Sequence, residues 1–283
     1  MNNNILKFKN EFNNQNNTFT YDGKKIPSNI KNCIQTIIIS DKITDIKDYA
    51  FDGCRNLKNI IIPNNITKIG YAAFRKCTNL TFIEIPSSVE IIMDEAFSHC
   101  SNLSNVILHD GIKKIHNYAF SYCKNLTDMA IPDNVDYIGN GCFIGCINLK
   151  NVKLPLNLNK INSSTFMNCH KLVEIEIPGN VKTIGRDAFE KCTNLTNINI
   201  LDGVTTIYNT AFSNCKNLKN INIPNTITEI NNTVVYDFFT KDIIRIDTIF
   251  NNCNKVVVKT NNKYAIDYCK KFNIKYQEFK EVE

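Results

Sequence analysis

The chain has no tryptophan, only four histidines, and no zinc-type pairing of CxxC or Cys/His spacing among its 283 residues. A structural zinc site needs such clustered ligands. His99, His109, His116 and His170 are scattered instead. The Gly-rich phosphate loop, GxSxG and HExxH are also missing, so the common signatures of nucleotide handling, serine hydrolysis and zinc hydrolysis are absent. We therefore expect no catalytic residue, no cofactor and no metal.

Two further absences narrow the class. No stretch approaches the roughly 18 uninterrupted apolar residues of a membrane span. The opening MNNNILKFKNEFNNQNN lacks an apolar core and a small-residue cleavage site, so it does not read as a signal peptide. The simplest expectation is a soluble intracellular protein, with the cell surface by an unrecognised route as the alternative.

A basic stripe is missing as well. The formal net charge is +6. Residues 1–31 hold five lysines against two acids, and residues 255–283 hold seven lysines against four acids. The span 32–254, with 21 side chains of each sign, is neutral. Nucleic-acid binding needs clustered Lys and Arg to displace counterions, so it is not expected. The heavy use of Asn, Ile and Lys reads as the bias of an AT-rich genome and carries no function.

What is present is a period. Phe stands at 51, 74, 97, 120, 143, 166, 189 and 212, always 23 residues apart. Cys keeps the same step from 54 to 215, and Leu from 57 to 218. A degenerate further unit, IFNNC at 249–253, follows an insertion of 15 residues, and a half unit, IQTIIISDKITDI at 34–46, precedes the first Phe. Self-similarity at such a period marks a stacked-repeat architecture.

One unit reads A-F-x-x-C-x-N-L-x-x-I-x-I-P-x-x-V-x-x-I-G. The alternation in Leu80-x-x-Ile83-x-Ile85 predicts a short strand with one face buried. Pro86 ends it, because proline cannot donate a ladder hydrogen bond. His109 and Leu201 replace that proline in two units, each followed by an Asp-Gly turn. Val89 and Ile92 re-enter the core. The Ala96-Phe97-x-x-Cys100 spacing predicts one helical or 3-10 turn with an inward face.

The framed cysteines read as small apolar core residues, since free Cys is among the most buried residue types. Cys142 takes the alanine slot of the frame. Disulfides between neighbouring units are geometrically conceivable, yet identical neighbours would scramble. Cys33 and Cys269 lie off the frame; packing is expected for both, with a minor reactive thiol as the alternative. The Asn before Leu (56, 79, 102, 125, 148, 194, 217) reads as a turn residue whose amide satisfies backbone groups. The frame explains its sequons better than glycosylation does.

The segments IGYAAFRKCTNLTFIEIP (69–86) and IGRDAFEKCTNLTNINILDG (184–203) resemble the BspA-like leucine-rich repeats, a 23-residue variety also found in treponemal surface proteins. The resemblance covers about residues 34–253. It continues into VVVKTNNKYAIDYCKKFNIKYQEF, similar to the strand–helix–strand tail of such proteins. It implies an α/β solenoid: a leucine-rich-repeat arc with a parallel β-sheet on the concave face and short helical or 3-10 turns on the convex side. It also implies a binding role with no catalytic residues. Bacterial members are often secreted, a feature this start does not share.

The expected organisation is an Asn-rich N-terminal segment at 1–25, partly disordered or capping, 23-residue repeats at 26–230, an irregular last repeat with the insertion at 231–253, and a strand–helix–strand cap at 254–283. The insertion is apolar and aromatic (Val234, Val235, Tyr236, Phe238, Phe239) and reads as part of the closing cap, or alternatively as an exposed partner-binding element.

If Leu and Ile point inward, the alternating strand positions point out. They form two columns, 59-82-105-128-151-174-197-220 and 61-84-107-130-153-176-199-222. The candidate partner-binding residues are Asn59, Ile61, Phe82, Glu84, Asn105, Ile107, Asp128, Lys153, Glu174 and Glu176. Ile61, Phe82 and Ile107 make an apolar patch; Asp128, Glu174 and Glu176 make an acidic one, with Lys153 between. Glu174 and Glu176 do not read as an acid–base pair, because an open sheet lacks the desolvation that tunes carboxyls. The expected function is a non-catalytic, monomeric module binding a protein through this sheet. The alternatives are a surface adhesin or structural coat protein, or one of an expanded repetitive set with no strong individual ligand.

Overall fold

The computed structural model describes residues 17–236 and 243–279. Each 23-residue unit closes one coil, and the coils stack in register with parallel strands. The longer strand of a coil has three or four residues, as in Asn59–Ile61, Phe82–Ile85, Asn105–Leu108, Asp128–Ala130, Asn151–Lys153, Glu174–Ile177, Asn197–Ile200 and Asn220–Asn222. Pairing follows the period: Glu174 faces Asn197 and Ile175 faces Ile198. Two strands precede this series, Thr18–Tyr21 and Thr36–Ile39, and the latter pairs with Asn59–Ile61.

A second strand of two residues follows in every unit, for example Ile91–Ile92, Lys114–Ile115 and Thr183–Ile184. Each pairs with its equivalent one unit away, as Ile92 does with Ile115. The motif V-x-x-I-G is therefore not merely a return to the core but a second parallel ladder. Its inward isoleucine is buried each time, and two residues are enough because the pairing lies between coils.

The turn after it corrects the expectation of a helical or 3-10 turn. Two residues four apart have left-handed backbone: Ala72 (φ 50°) with Lys76 (φ 60°), Glu95 (φ 56°) with His99 (φ 61°), Tyr118 with Tyr122 (both φ 57°). A right-handed helix cannot contain them. The amide donors alternate instead. Ala73, Arg75 and Cys77 bond backward within their coil, to the carbonyls of Gly70, Ala72 and Phe74. Ala72, Phe74 and Lys76 bond to Asp94, Ala96 and Ser98 of the next coil, at 2.9, 2.7 and 2.8 Å. A helix in every coil would splay the turn side and curve the stack. The diameter of a helix with side chains is about 10 Å, whereas paired strands advance only about 4.8 Å. A turn that shares its donors with the next coil fits that step.

Among the described residues there is one helix, Lys263–Lys271. It follows the last coil, where no further coil limits its width. The Asn262 side chain accepts from Ala265 N at 2.9 Å and caps it. Strand Lys275–Gln277 then pairs with Val257–Lys259. No helix among the described residues is long and apolar enough to cross a membrane.

The core is a column of rings. Phe51 through Phe212 are fully buried, and consecutive rings are stacked, with centroids 5.0 to 5.7 Å apart. Tyr21 closes one end edge-on at 4.8 Å from Phe51. At the other end the insertion leaves the stack. Thr233–Tyr236 pairs antiparallel with Ile243–Asp247, and Phe250 then stacks on Phe212 at 5.8 Å. Val257–Lys259 pairs with Asn220–Asn222, so the frame resumes where it broke off. Phe238 and Phe239 lie outside the described residues.

Both Asp-Gly turns bring coils into close contact. A Cβ at Gly111 would stand 1.6 Å from the Ser87 carbonyl oxygen, and one at Gly203 (φ +120°) would stand 2.0 Å from that of Gly179. Only glycine permits this approach.

Candidate interaction surface

The structure gives the framed cysteines a hydrogen-bonding task beside their packing. All twelve cysteines are free, and eleven are buried; Cys33 is exposed. Each framed thiol from Cys77 to Cys215, Cys142 being off that frame position, donates to the carbonyl of the Phe one coil back: Cys77 to Phe51 at 3.3 Å, Cys100 to Phe74 at 3.1 Å, Cys146 to Phe120 at 3.1 Å. Cys253 repeats this across the insertion, to Phe212 at 3.0 Å. The same carbonyl already accepts the Cys amide of its own coil, as Phe74 accepts from Cys77. Burial pushes the thiols up, Cys146 and Cys192 to about 12 and Cys54 to about 11. A thiol so held is a poor nucleophile. Among the described residues no group of three or more His, Cys, Asp or Glu could hold a metal ion.

The Asn frame does two things. Asn56 and Asn217 donate to backbone carbonyls of Asn32 and Thr193. Asn79 and Asn125 instead donate to the amide oxygens of Asn56 and Asn102, forming side-chain rungs between coils.

The long-strand face carries the candidate residues, and all ten are exposed: Asn59, Ile61, Phe82, Glu84, Asn105, Ile107, Asp128, Lys153, Glu174 and Glu176. Pairing sets Phe82 beside Asn105 and Glu84 beside Ile107. Ile61, Phe82 and Ile107 are 53%, 44% and 38% exposed, high for large apolar side chains on a face whose inward neighbours are buried. Ile61, Phe82 and Glu84 line an open depression of about 480 Å³, together with His109. His109 Nε2 lies 2.9 Å from Glu84 Oε1.

The later candidates are more constrained. Asn151 donates to Asp128 at 2.6 Å and, with Thr127, holds its carboxyl below the usual range. Lys153 pairs with Asp133 at 3.2 Å rather than with the acids of its column. That lysine, and then the Leu156 amide, depress the Asp133 carboxyl. Asn199 donates to Glu176 at 3.0 Å. Asp128 and Glu176 thus each accept from an asparagine amide of the next coil.

Two features escaped the sequence reading. His109 belongs to the depression, and its signal was the replacement of the framed proline. The turn face also carries a cluster. Arg75 binds both Asp52 oxygens at 3.0 Å and Glu95 at 3.0 Å, and lies 5.5 Å over the Tyr49 ring. Tyr71 donates to Glu95 at 3.0 Å, and this bond is the main cause that raises its hydroxyl to about 12. Next to it, Tyr118 and Tyr122 lie where a Cβ at Gly141 or Gly145 would meet their rings at 2.4 and 2.6 Å. The signal was a Tyr pair at 118 and 122 followed one unit later by a Gly pair at 141 and 145.

A family model described as the BspA type leucine rich repeat region matches residues 7–127 and 113–241, in six copies. No curated protein matches the chain in sequence. Among solved structures, the T. pallidum leucine rich repeat protein is similar with 28% identity and a TM-score of 0.54, covering 63% of this chain and 82% of that one. A leucine-rich repeat protein from Bacteroides ovatus ATCC 8483 shares 23% identity, with a TM-score of 0.38 and coverage of 88% and 85%. The pneumococcal vaccine antigen PcpA shares 18%, with a TM-score of 0.47 and coverage of 87% and 80%.

Proposed function

The chain belongs to the BspA-type leucine-rich-repeat family, and from that membership we propose that it is a non-catalytic module holding a partner protein on its long-strand face. A repeat solenoid of this kind suits a protein-interaction or adhesin-like role. The observation that carries the reading is the contrast between columns. The inward columns repeat Leu and Ile, whereas the outward columns change from coil to coil: Ile61, Glu84, Ile107, Ala130, Lys153, Glu176. A surface that varies on an invariant frame is free to be shaped by a partner. Its three exposed apolar side chains give such a partner area to bury.

The test is affinity capture from the source cells with the native chain, Phe82→Arg and Glu176→Arg, both at exposed positions. Both variants fold, because the inward columns are untouched, and each loses partners that the native chain retains. Unchanged capture by both sinks the reading. A surface adhesin or structural coat role uses the same face, and family membership favours considering it; fractionation of the cells decides between the two.

A further inference from the structure

We infer that the depression formed by Ile61, Phe82, Glu84 and His109 is a subsite for a lysine or arginine side chain of a partner protein, presented beside an apolar residue; this rests on the long-strand-face reading and narrows it. The chemistry of the lining selects the occupant. Glu84 stands in one column between Ile61 and Ile107, with Phe82 two residues before it on the same face of the strand. It is the one carboxylate lining the depression. An anionic group is repelled there. A wholly apolar group would strip water from the carboxylate and leave it unsatisfied, which is costly. A cation on a hydrocarbon stem meets both demands, its methylenes against Ile61 and Phe82 and its head on the carboxylate. The Phe82 ring adds attraction for a cation above its face.

His109 already meets this carboxylate, its Nε2 standing 2.9 Å from Oε1. Both side chains are about half exposed, 44% for His109 and 57% for Glu84, so the contact is wet and weak. An ammonium or guanidinium displaces it, and the imidazole acts as a placeholder. The wider face agrees in sign. Asp128, Glu174 and Glu176 are exposed on it, while its Lys153 is already paired with Asp133. A chain of net charge +6 thus presents an acidic strip on this one face.

The experiment is fluorescence anisotropy on the full chain. The probe is a labelled nonapeptide of alternating Leu and Lys, compared with versions carrying Gln or Glu in place of Lys. The Lys peptide binds about tenfold more tightly than the Gln peptide, a difference that Glu84→Gln erases. His109→Ala tightens the Lys peptide about threefold, because the placeholder is gone. Circular dichroism verifies that both variants fold. Equal binding of the Gln peptide, preference for the Glu peptide, no binding of the Lys peptide, or a Glu84→Gln variant of native affinity overturns the inference. If the Gln peptide binds as well as the Lys peptide and Phe82→Arg abolishes both, the inference falls and the long-strand-face reading survives. If no peptide responds to Phe82→Arg and capture is also unchanged, both fall.

Discussion

The thiol of Cys123 donates to the carbonyl oxygen of Phe97, 3.3 Å away in the preceding coil. Phe97 thereby serves three ladders at once. Its ring stacks between Phe74 and Phe120, its amide donates forward to Ala119, and its carbonyl accepts both the Cys100 amide and the Cys123 thiol. The coils of this chain are held by their framed cysteines as donors, not only as small apolar fillers.

Cys123→Ala removes the donor and part of the packing, and unfolding in urea should register a loss of about 1–3 kcal/mol. Cys123→Ser keeps a donor, though its oxygen sits nearer the backbone and is costlier to bury. Cys123→Val restores apolar volume without a donor. If Val matches the native chain, the thiol bond contributes nothing.

Phe120→Ala opens a cavity between Phe97 and Phe143, which stack on it at 5.2 and 5.7 Å. The expected cost is about 3–5 kcal/mol. Because each coil touches only its neighbours, hydrogen exchange should rise first in the coils flanking residue 120 and least at the distant ends.

Native thiol labelling reports the burial directly. Maleimide should modify Cys33 quickly and the eleven buried cysteines only after denaturation. Burial lifts Cys146 and Cys192 from 9.0 to about 12, so the folded thiols stay protonated where unfolded ones ionise. A folded value above the unfolded one means stability is intact below pH 9 and falls as pH rises from 9 toward 12. The melting temperature measured over that range should drop steeply, and less so in a Cys146→Ala, Cys192→Ala double variant.

The left-handed turn slots make opposite predictions for gain and loss of glycine. Lys76 has φ 60°, and Lys76→Gly should stabilise by about 1 kcal/mol. Gly145→Ala adds a methyl at φ 71°, 2.6 Å from the Tyr122 ring, and should destabilise. Pairing it with Tyr122→Ala should return part of that loss. Strict additivity in the double-mutant cycle would mean that the ring and the glycine do not interact.

The legible part of this protein was the part written at fixed spacing. The 23-residue step gave the stack, the inward columns and the outward candidates, and Ile83 and Ile85 against Phe82 and Glu84 alternate as read. The long insertion was legible as a break, and Phe250 resumes the column after it. What was illegible lay in conformations that residue types do not announce. Nothing about Ala72, Lys76, Glu95 or Tyr118 signals a positive φ, so Ala-Phe-x-x-Cys looked helical. Nor does any single unit predict that Arg75 reaches Asp52 and Glu95 on either side of it, since these contacts exist only between coils.

The sequence by itself determined the period, the buried frame and the face left free to vary, because alternation and repetition depend on residue order alone. Only the tertiary structure decided what joins one coil to the next. The close step of about 4.8 Å between coils sends alternate turn amides across to the neighbour and brings the framed thiols from Cys77 onward under the Phe carbonyl of the coil before. It also set His109 against Glu84, 25 residues apart in the chain and 2.9 Å apart on the surface.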